Sequence, residues 1–212
     1  MAARARKGMM IAGYIGGAIV LIGIAYVGFF VYLSASVERP KYALIEQDGA
    51  IEIREYPALV VAEVVKTGGR RDAVRAGFRP LAGYIFAKER SGERISMTAP
   101  VTQQRTEAGD SDGWAVRFIM PSALDLAALP KPANAEVRLL QKPKARYAAI
   151  RFSGAADDAL IADKEAEIRT WLSRRKLESD GSPIYAYYND PRVPGFLRRN
   201  EVLLEIKSGD AD

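Results

Sequence analysis

The chain carries the same order of predicted elements twice, and this repetition restricts its fold more than any other feature of the sequence. In each half, two predicted strands precede a helix and two strands follow it. The dipeptides Thr67-Gly68 and Ser153-Gly154, just before the two helices, lie 86 positions apart. The predicted helix starts at residues 71 and 157 have the same separation. We therefore expect an internal duplication of a ββαββ unit.

Apolar-polar alternation and short Val-rich runs predict eight strands. These are residues 51–54, 58–66, 95–102, 114–120, 136–140, 147–152, 184–188 and 202–206. Helical periodicity covers 71–88 and 157–176, although Pro80 should kink or break the first helix. Two such halves would most simply form one α+β domain, a twisted antiparallel sheet or distorted β-barrel flanked by two helices.

A long, apolar and uncharged run of residues precedes this domain. Gly8 to Leu33 is a run of 26 residues without a charged side chain. A helix of that length, at about 1.5 Å per residue, covers the hydrocarbon core of a bilayer, so we predict one transmembrane helix. Arg4, Arg6 and Lys7 before it favour a cytoplasmic N-terminus. The main domain is then expected outside the cell membrane, in the periplasm of a bacterium. A cleaved signal peptide is the alternative, but its apolar region is usually only about 7–15 residues long.

Five segments follow from these patterns. They are a basic cytoplasmic tail (1–7), the transmembrane helix (8–33), a linker (34–41), the folded domain (42–207) and a disordered C-terminal tail (208–212). Gly13 and Gly17 form a small-xxx-small pair through which two membrane helices would approach as a weak homodimer. Glycine is also common in membrane helices for other reasons, so this pair has a second interpretation.

Histidine and cysteine are both absent from the 212 residues. This excludes a thiol enzyme, a Ser-His-Asp triad, a histidine-ligated haem and the usual zinc sites, and it leaves no disulfide to support the domain. The net charge of +5 includes three positive charges before residue 38, so the remainder carries only +2. No nucleic-acid-binding motif accompanies it. We therefore predict neither a metal site nor a nucleic-acid partner.

Four segments resemble, in the same order, the marker segments of the SOUL haem-binding family. They are Ile-Glu-Ile-Arg-Glu-Tyr at 51–56, Ile-Ser-Met-Thr-Ala-Pro-Val at 95–101, Phe-Ser-Gly at 152–154 and Arg-Arg-Asn-Glu-Val at 198–202. The resemblance covers about Tyr42 to Ile206. It implies a duplicated α+β barrel with two helices, non-covalent binding of haem or another tetrapyrrole, and no established enzyme activity for most members. Without histidine, only a shallow apolar groove with basic residues near the propionates is open to this chain.

The first helix offers such a surface. Arg71, Arg75 and Arg79 form a basic stripe beside an apolar stripe. The apolar stripe consists of Val74, Phe78, Leu81 and Ile85. An apolar face edged by guanidinium groups suits a flat porphyrin with two carboxylates. The alternative is an amphipathic helix with a solvated basic edge.

The resemblance places tetrapyrrole binding on this helix and on a late loop, which here is 189–196. In that loop Arg192 would meet a propionate and Phe196 a ring face, unless the loop is only a proline-stiffened connection. The predicted cofactor-binding set is Arg71, Arg75, Phe78, Leu81, Arg192 and Phe196. Burial of roughly 300–400 Å² gives about 8–10 kcal/mol gross, and association costs at least about 4 kcal/mol. We expect micromolar or weaker binding, typical of a carrier, buffer or sensor.

Other interpretations remain open at this point. Tyr84 or Met97 would be the iron ligand if one exists, or both pack in the core. Glu201 is either an internal ion-pair partner of an arginine or, with Glu63 as the other candidate, the general acid/base of a small-molecule hydrolase assisted by Tyr185 or Tyr188. A further possibility is a membrane-tethered module that binds another apolar small molecule or a protein partner.

Overall fold

The computed structural model describes residues 37–88, 90–106 and 113–207, together with five isolated positions near the N-terminus. Contacts divide the chain into two compact units, Met1–Val37 and Glu38–Asp212. The five isolated positions are helical and exposed. They are Gly17, Leu21, Gly23, Tyr26 and Gly28.

The structure does not test the predictions made for the two chain termini. The tail 1–7, most of the segment 8–33, Gly13, the first three residues of the linker (34–36) and the C-terminal tail 208–212 lie outside the described residues. Within the part that is described, we found no helix with both the length and the apolar character that crossing a bilayer requires.

The described part of the second unit forms nine antiparallel strands, two helices and one 3-10 turn. The strands are β1 (Ala43–Asp48), β2 (Ile51–Tyr56), β3 (Leu59–Thr67), β4 (Val101–Arg105), β5 (Gly113–Ile119), β6 (Arg138–Lys142), β7 (Ala145–Phe152), β8 (Ser179–Tyr187) and β9 (Asn200–Ile206). The helices are α1 (Arg70–Ile85) and α2 (Asp158–Arg174), and the 3-10 turn is Gly195–Leu197. The ββαββ repeat is confirmed as β2-β3-α1-β4-β5 and β6-β7-α2-β8-β9, with β1 added in front.

All nine strands belong to one sheet, in the order β1-β2-β7-β9-β8-β4-β5-β3-β6. The counterparts in the two halves are β2 and β6, β3 and β7, β4 and β8, and β5 and β9. If β1 is left out and each strand is exchanged for its counterpart, the order read from one end equals the original order read from the other. The first strand of each half pairs with the other half: β2 with β7, and β6 with β3. The halves also meet in the centre, where β4 pairs with β8.

The sheet is open, so the closed form of the expected barrel is not observed. In the described structure β1 and β6 are the two ends of the hydrogen-bonded order. Strand β1 occupies the edge of β2 that a direct pairing with β6 would use. It reaches that edge through a two-residue turn at Gly49–Ala50, where Gly49 has φ of 58°, a conformation that glycine adopts at little cost.

The helices cover one face of the sheet, α1 over β3 and β5 and α2 over β7 and β9. The buried residues of α1 are Ala73, Gly77, Leu81, Gly83, Tyr84 and Ile85. The predicted apolar stripe does not share one environment, because Leu81 and Ile85 are buried, Val74 is half-buried and Phe78 is exposed. The cause is Gly77: a Cβ there would lie 2.8 Å from the Cβ of Val116. Its absence lets the small-residue side of α1 approach the sheet.

Two further sequence expectations need correction. Of the kink or break expected at Pro80, the break is absent, since helix α1 continues to Ile85, and the turn after Pro80 is held by the buried side chains of Leu81, Tyr84 and Ile85. The strand predicted at 95–102 begins only at Val101, and the residues before it pair with no strand except at an isolated bridge between Thr98 and Glu38.

Helix α2 agrees with the prediction. The Asp157 carboxylate caps it by accepting a hydrogen bond from the backbone N–H of Leu160 at 2.9 Å. Ile161, Ile168 and Leu172 are buried against the sheet. The helix therefore serves to pack the second half of the repeat.

Candidate functional site

Helix α1 presents three of the predicted site residues on one exposed face. Arg71, Arg75 and Phe78 follow the i, i+4, i+7 spacing of one helix face, and all three are exposed. They span about 10 Å along the helix axis at 1.5 Å per residue. Neither arginine forms an ion pair or side-chain hydrogen bond with any residue that the structure describes. Two guanidinium groups and an aromatic ring are thus available together.

Phe78 supplies the apolar part of this face. Its side chain is 41% exposed, and its ring packs edge-on against the buried ring of Phe118, with centroids 5.1 Å apart. The contact holds the Phe78 ring in place while leaving part of it open to a ligand. Leu81, by contrast, is fully buried in the core beneath α1. It supports the face from below, and the ligand contact predicted for it would need this core to open.

The late loop holds the other two predicted residues. Phe196 lies in the 3-10 turn and is 75% exposed. Arg192 donates to Asp190 through Nε at 2.9 Å and through Nη2 at 2.8 Å, and the bond from Arg192 is the main reason that the pKa of Asp190 is lowered. A propionate would have to compete with Asp190 for this guanidinium.

An arginine that sequence reasoning missed, Arg70, connects the start of α1 with the start of α2. It donates to Asp158 at 2.8 Å, to the backbone oxygen of Ala156 at 2.9 Å and to the Tyr187 hydroxyl at 2.6 Å. Two residues before Ala156, the backbone N–H of Gly154 donates to Gly195 O in the late loop at 3.0 Å. Arg70 therefore belongs to a connection that brings α1 and the late loop to the same end of the domain.

Glu201 lies at the centre of a buried ion network. The Arg54 guanidinium donates to both of its carboxylate oxygens, at 2.7 and 3.0 Å. Arg199 donates through Nη2 at 2.6 Å and the Tyr188 hydroxyl at 2.7 Å. Burial is the largest single influence and opposes ionisation of Glu201, but the hydrogen bonds and charge of Arg54, the charge of Arg199 and the bond from Tyr188 together outweigh it, so the pKa is lowered. The internal ion-pair prediction is confirmed, and this carboxyl lacks the raised pKa that a general acid needs.

The second acid/base candidate, Glu63, is also paired. It accepts from Arg117 at 2.7 Å and from Arg138 at 2.8 Å. Of the two tyrosines considered with these acids, Tyr188 donates to Glu201, and Tyr185 donates to Glu165 at 2.9 Å. Desolvation raises the pKa of both hydroxyls. These groups form structural networks within the domain.

The family model described as SOUL heme-binding protein matches residues 37–205. The chain belongs to the SOUL haem-binding protein family. The match spans nearly the whole SOUL domain and all four segments that resemble the family markers. No curated protein sequence is significantly similar to the chain.

Solved structures share the fold of the SOUL domain at low sequence identity. The C-terminal domain of EcmrR has a TM-score of 0.55 and 11% identity, and the match covers 78% of this chain and 98% of that one. A hydrolase from Listeria innocua has a TM-score of 0.52 and 14% identity, and covers 76% and 94%. At these identities the similarity extends to the fold alone.

The described side chains are better suited to contact the ring and propionates of a porphyrin than to coordinate its iron. Tyr84 is 4% exposed and its hydroxyl donates to Pro130 O at 2.8 Å. Its burial raises the pKa of the phenol, which disfavours the phenolate that would bind iron. Met97 is half-buried beside the core under α1. Within the described residues no group of three or more acidic side chains could hold a metal ion. The exposed face of α1 offers guanidinium groups and a ring, and neither is an iron ligand.

Proposed function

We propose that the SOUL domain binds haem or a related porphyrin non-covalently on the exposed face of α1, without an axial protein ligand. The observation that carries this proposal is the alignment of Arg71, Arg75 and Phe78. Each guanidinium would pair with a propionate, and the Phe78 ring would lie against the macrocycle. Arg192 and Phe196 of the late loop would complete the site at the same end of the domain.

The expected affinity is low. Exposed arginine-carboxylate pairs contribute only about 0–1 kcal/mol each, and no iron–protein bond adds to them. Micromolar or weaker binding suits a carrier, a buffer or a sensor that exchanges its ligand. The iron of a bound haem would keep its own chemistry, and the contribution of this chain would be to hold the macrocycle.

Removal of Arg75 or Phe78 should weaken porphyrin binding. We expect about a threefold loss for Arg75→Ala and about a tenfold loss for Phe78→Ala, from one exposed ion pair and one aromatic contact respectively. The measurement is a visible-absorption titration of hemin, and separately of metal-free protoporphyrin, into the full-length chain. Both porphyrins should bind one-to-one with similar affinity.

Arg169→Ala is the matched control, because it removes one exposed arginine from α2, where Arg169 pairs with Glu165. It should leave porphyrin affinity unchanged. A linear, non-saturating absorbance change that is the same in all variants would rule out a specific site. Hemin binding that is far tighter than protoporphyrin binding would instead show that the protein supplies an iron ligand.

We further propose that the domain is anchored at the cell membrane by the segment 8–33, with the N-terminus in the cytoplasm. The absence of cysteine makes this testable with single introduced thiols. Ser91→Cys, at an exposed position of the domain, should react with a membrane-impermeant maleimide in intact spheroplasts. Ala5→Cys should react only after lysis. Labelling of Ala5→Cys before lysis would show that the N-terminus is outside the cytoplasm. Absence of the N-terminal segment from the mature chain would indicate a cleaved signal peptide.

A further inference from the structure

The sheet encloses a second candidate site on the face opposite the helices. A cavity of about 300 Å³ lies there. Its lining includes Tyr56 of β2 and Lys142 of β6, strands from the two far ends of the repeat in the sheet order. The sheet must therefore curl around the cavity. No lining residue belongs to α1 or α2, so the cavity is separate from the face proposed for the porphyrin.

The interior of the cavity is predominantly apolar. Its aliphatic residues are Leu59, Val61, Ile119, Ile184, Ala186 and Leu203. The rings of Tyr56, Tyr147 and Tyr188 add aromatic surface. The volume is at the low end of the range of about 300–1,000 Å³ that is usual for small-molecule sites. A porphyrin with its substituents is larger than this space, which suits a compact apolar molecule.

Three charged side chains reach the cavity wall, and two of them have partners. Arg117 donates to Glu63 at 2.7 Å and to the Gln104 side-chain oxygen at 2.8 Å. Glu205 accepts a hydrogen bond from the Tyr147 hydroxyl at 3.3 Å. These contacts satisfy Arg117 and partly satisfy Glu205.

Lys142 is the exception. It is half-buried, and its ammonium has no hydrogen-bond or ion-pair partner among the residues that the structure describes. Burial is the main cause that lowers its pKa, followed by repulsion from Arg117, while Glu63 and Glu205 oppose the change. A partly desolvated cation without an acceptor from the protein gains stability when a ligand supplies one.

We propose that the cavity binds a small apolar molecule with a single carboxylate, and that the Lys142 ammonium pairs with that carboxylate. The aliphatic and tyrosine walls would hold the apolar body. Lys142 makes an anion the better ligand, because Arg117 already pairs with Glu63 and Glu205 already accepts a hydrogen bond from Tyr147. A cationic ligand would have Glu205 as its partner but would be repelled by the unpaired Lys142 ammonium.

The test compares three probes of similar size and different charge. Phenylbutyrate, phenylbutanol and phenylbutylamine share an apolar body and end in an anionic, a neutral and a cationic group. Isothermal titration calorimetry with the full-length chain should show phenylbutyrate binding about tenfold or more tightly than phenylbutanol, as expected for a hydrogen bond to a charged group. Phenylbutylamine should bind most weakly. Preference for the amine, or equal binding of all three probes, would overturn the proposal.

Lys142→Met tests the ammonium itself. The variant keeps an unbranched side chain and removes an unpaired half-buried charge, so we expect it to fold with unchanged or higher stability. It should lose about tenfold in phenylbutyrate affinity and leave phenylbutanol affinity unchanged. Lys144→Met is the matched control, because the Lys144 ammonium is exposed and pairs with Glu55 at 2.7 Å. Equal losses of phenylbutyrate affinity in the two variants would show that Lys142 does not pair with the carboxylate.

Two cavity-filling substitutions locate the binding. Ala186→Leu and Leu203→Trp each place extra volume in the cavity. Circular dichroism would first establish that each variant is folded. Either folded variant should then have lost phenylbutyrate binding. Persistent binding in a folded variant would place the probe elsewhere. Hemin titration of Lys142→Met should match that of the unmodified chain, so failure of the porphyrin proposal and failure of this one are distinguishable.

Discussion

Replacement of Arg54 by methionine should lower the free energy of unfolding by about 3–5 kcal/mol. Arg54 is 1% exposed and donates to Glu201, to Glu52 and to the Tyr56 hydroxyl. Without it, the carboxylate of Glu201 stays buried with less compensation, and the Tyr56 hydroxyl loses a hydrogen bond. Urea denaturation of the Arg54→Met chain at neutral pH measures the loss.

Arg146→Met is the control for this prediction. Arg146 is on the neighbouring strand β7 and pairs with Glu55 at 3.0 Å, but its side chain is 55% exposed. Its loss should cost less than about 1 kcal/mol. Equal costs for the two variants would mean that the buried network contributes no more than a surface pair.

Acid should reduce the difference between the unmodified chain and Arg54→Met. The pKa of Glu201 is lowered in the folded unmodified chain, so the network contributes fully above the ordinary carboxyl range. That contribution disappears as the pH falls through the lowered pKa. In Arg54→Met, protonation instead relieves a poorly compensated buried charge, so the two chains converge in stability.

Replacement of Gly77 by leucine should destabilise the domain by about 3 kcal/mol or more, at the upper end of the cost of overpacking a core. The Cβ alone would lie 2.8 Å from both Cβ and Cγ2 of Val116 and 3.1 Å from Cγ2 of Val64. Because these contacts are with strands β3 and β5, the whole of α1 must move outward. Thermal or urea unfolding measures the change.

Ala76→Leu is the matched control for this prediction, since Ala76 is the adjacent residue of α1 and is exposed. It should change stability by no more than about 0.5 kcal/mol. Adding Val116→Ala to Gly77→Leu should restore part of the loss by making room for the new side chain. Without such a rescue, the close approach of α1 to the sheet would not be the cause.

The duplication was predictable because its signals are local. Turn dipeptides, helix periodicity and strand alternation recur at a constant offset, and the structure confirms the two ββαββ halves. Strand β1 was missed because five of its six residues are exposed, so no buried face imposes alternation on Ala43–Asp48. Its pairing depends on the edge of β2, which is visible only once the sheet is assembled.

The candidate site was only partly predictable. Hydrophobicity assigned Phe78 and Leu81 to one apolar stripe, whereas in the structure the small residues Ala73 and Gly77 face the sheet and Phe78 is exposed. A pattern of apolar residues does not show how closely a helix can approach its neighbour. Arg70 escaped notice for a related reason, since its partners Asp158 and Tyr187 are distant in the sequence.

The cavity had no sequence signature at all. Its wall includes residues from eight strands, β2 to β9, and each strand contributes only one or two of them. Lys142, followed by Pro143 and Lys144, has the composition of a solvated turn. Only the curvature of the assembled sheet brings Lys142 into the same wall as Arg117 and Glu205.

The pairing of each half's first strand with the opposite half has a consequence for the origin of the molecule. A single ββαββ unit would present unpaired strand edges and half of a cavity wall, and it would satisfy both by associating with a copy of itself about a two-fold axis between β4 and β8. The fold is therefore equivalent to an intertwined homodimer whose two subunits are joined by the segment 120–137, between β5 and β6. Fusion would free the two copies to diverge, so that one wall could acquire Lys142 without its symmetry mate.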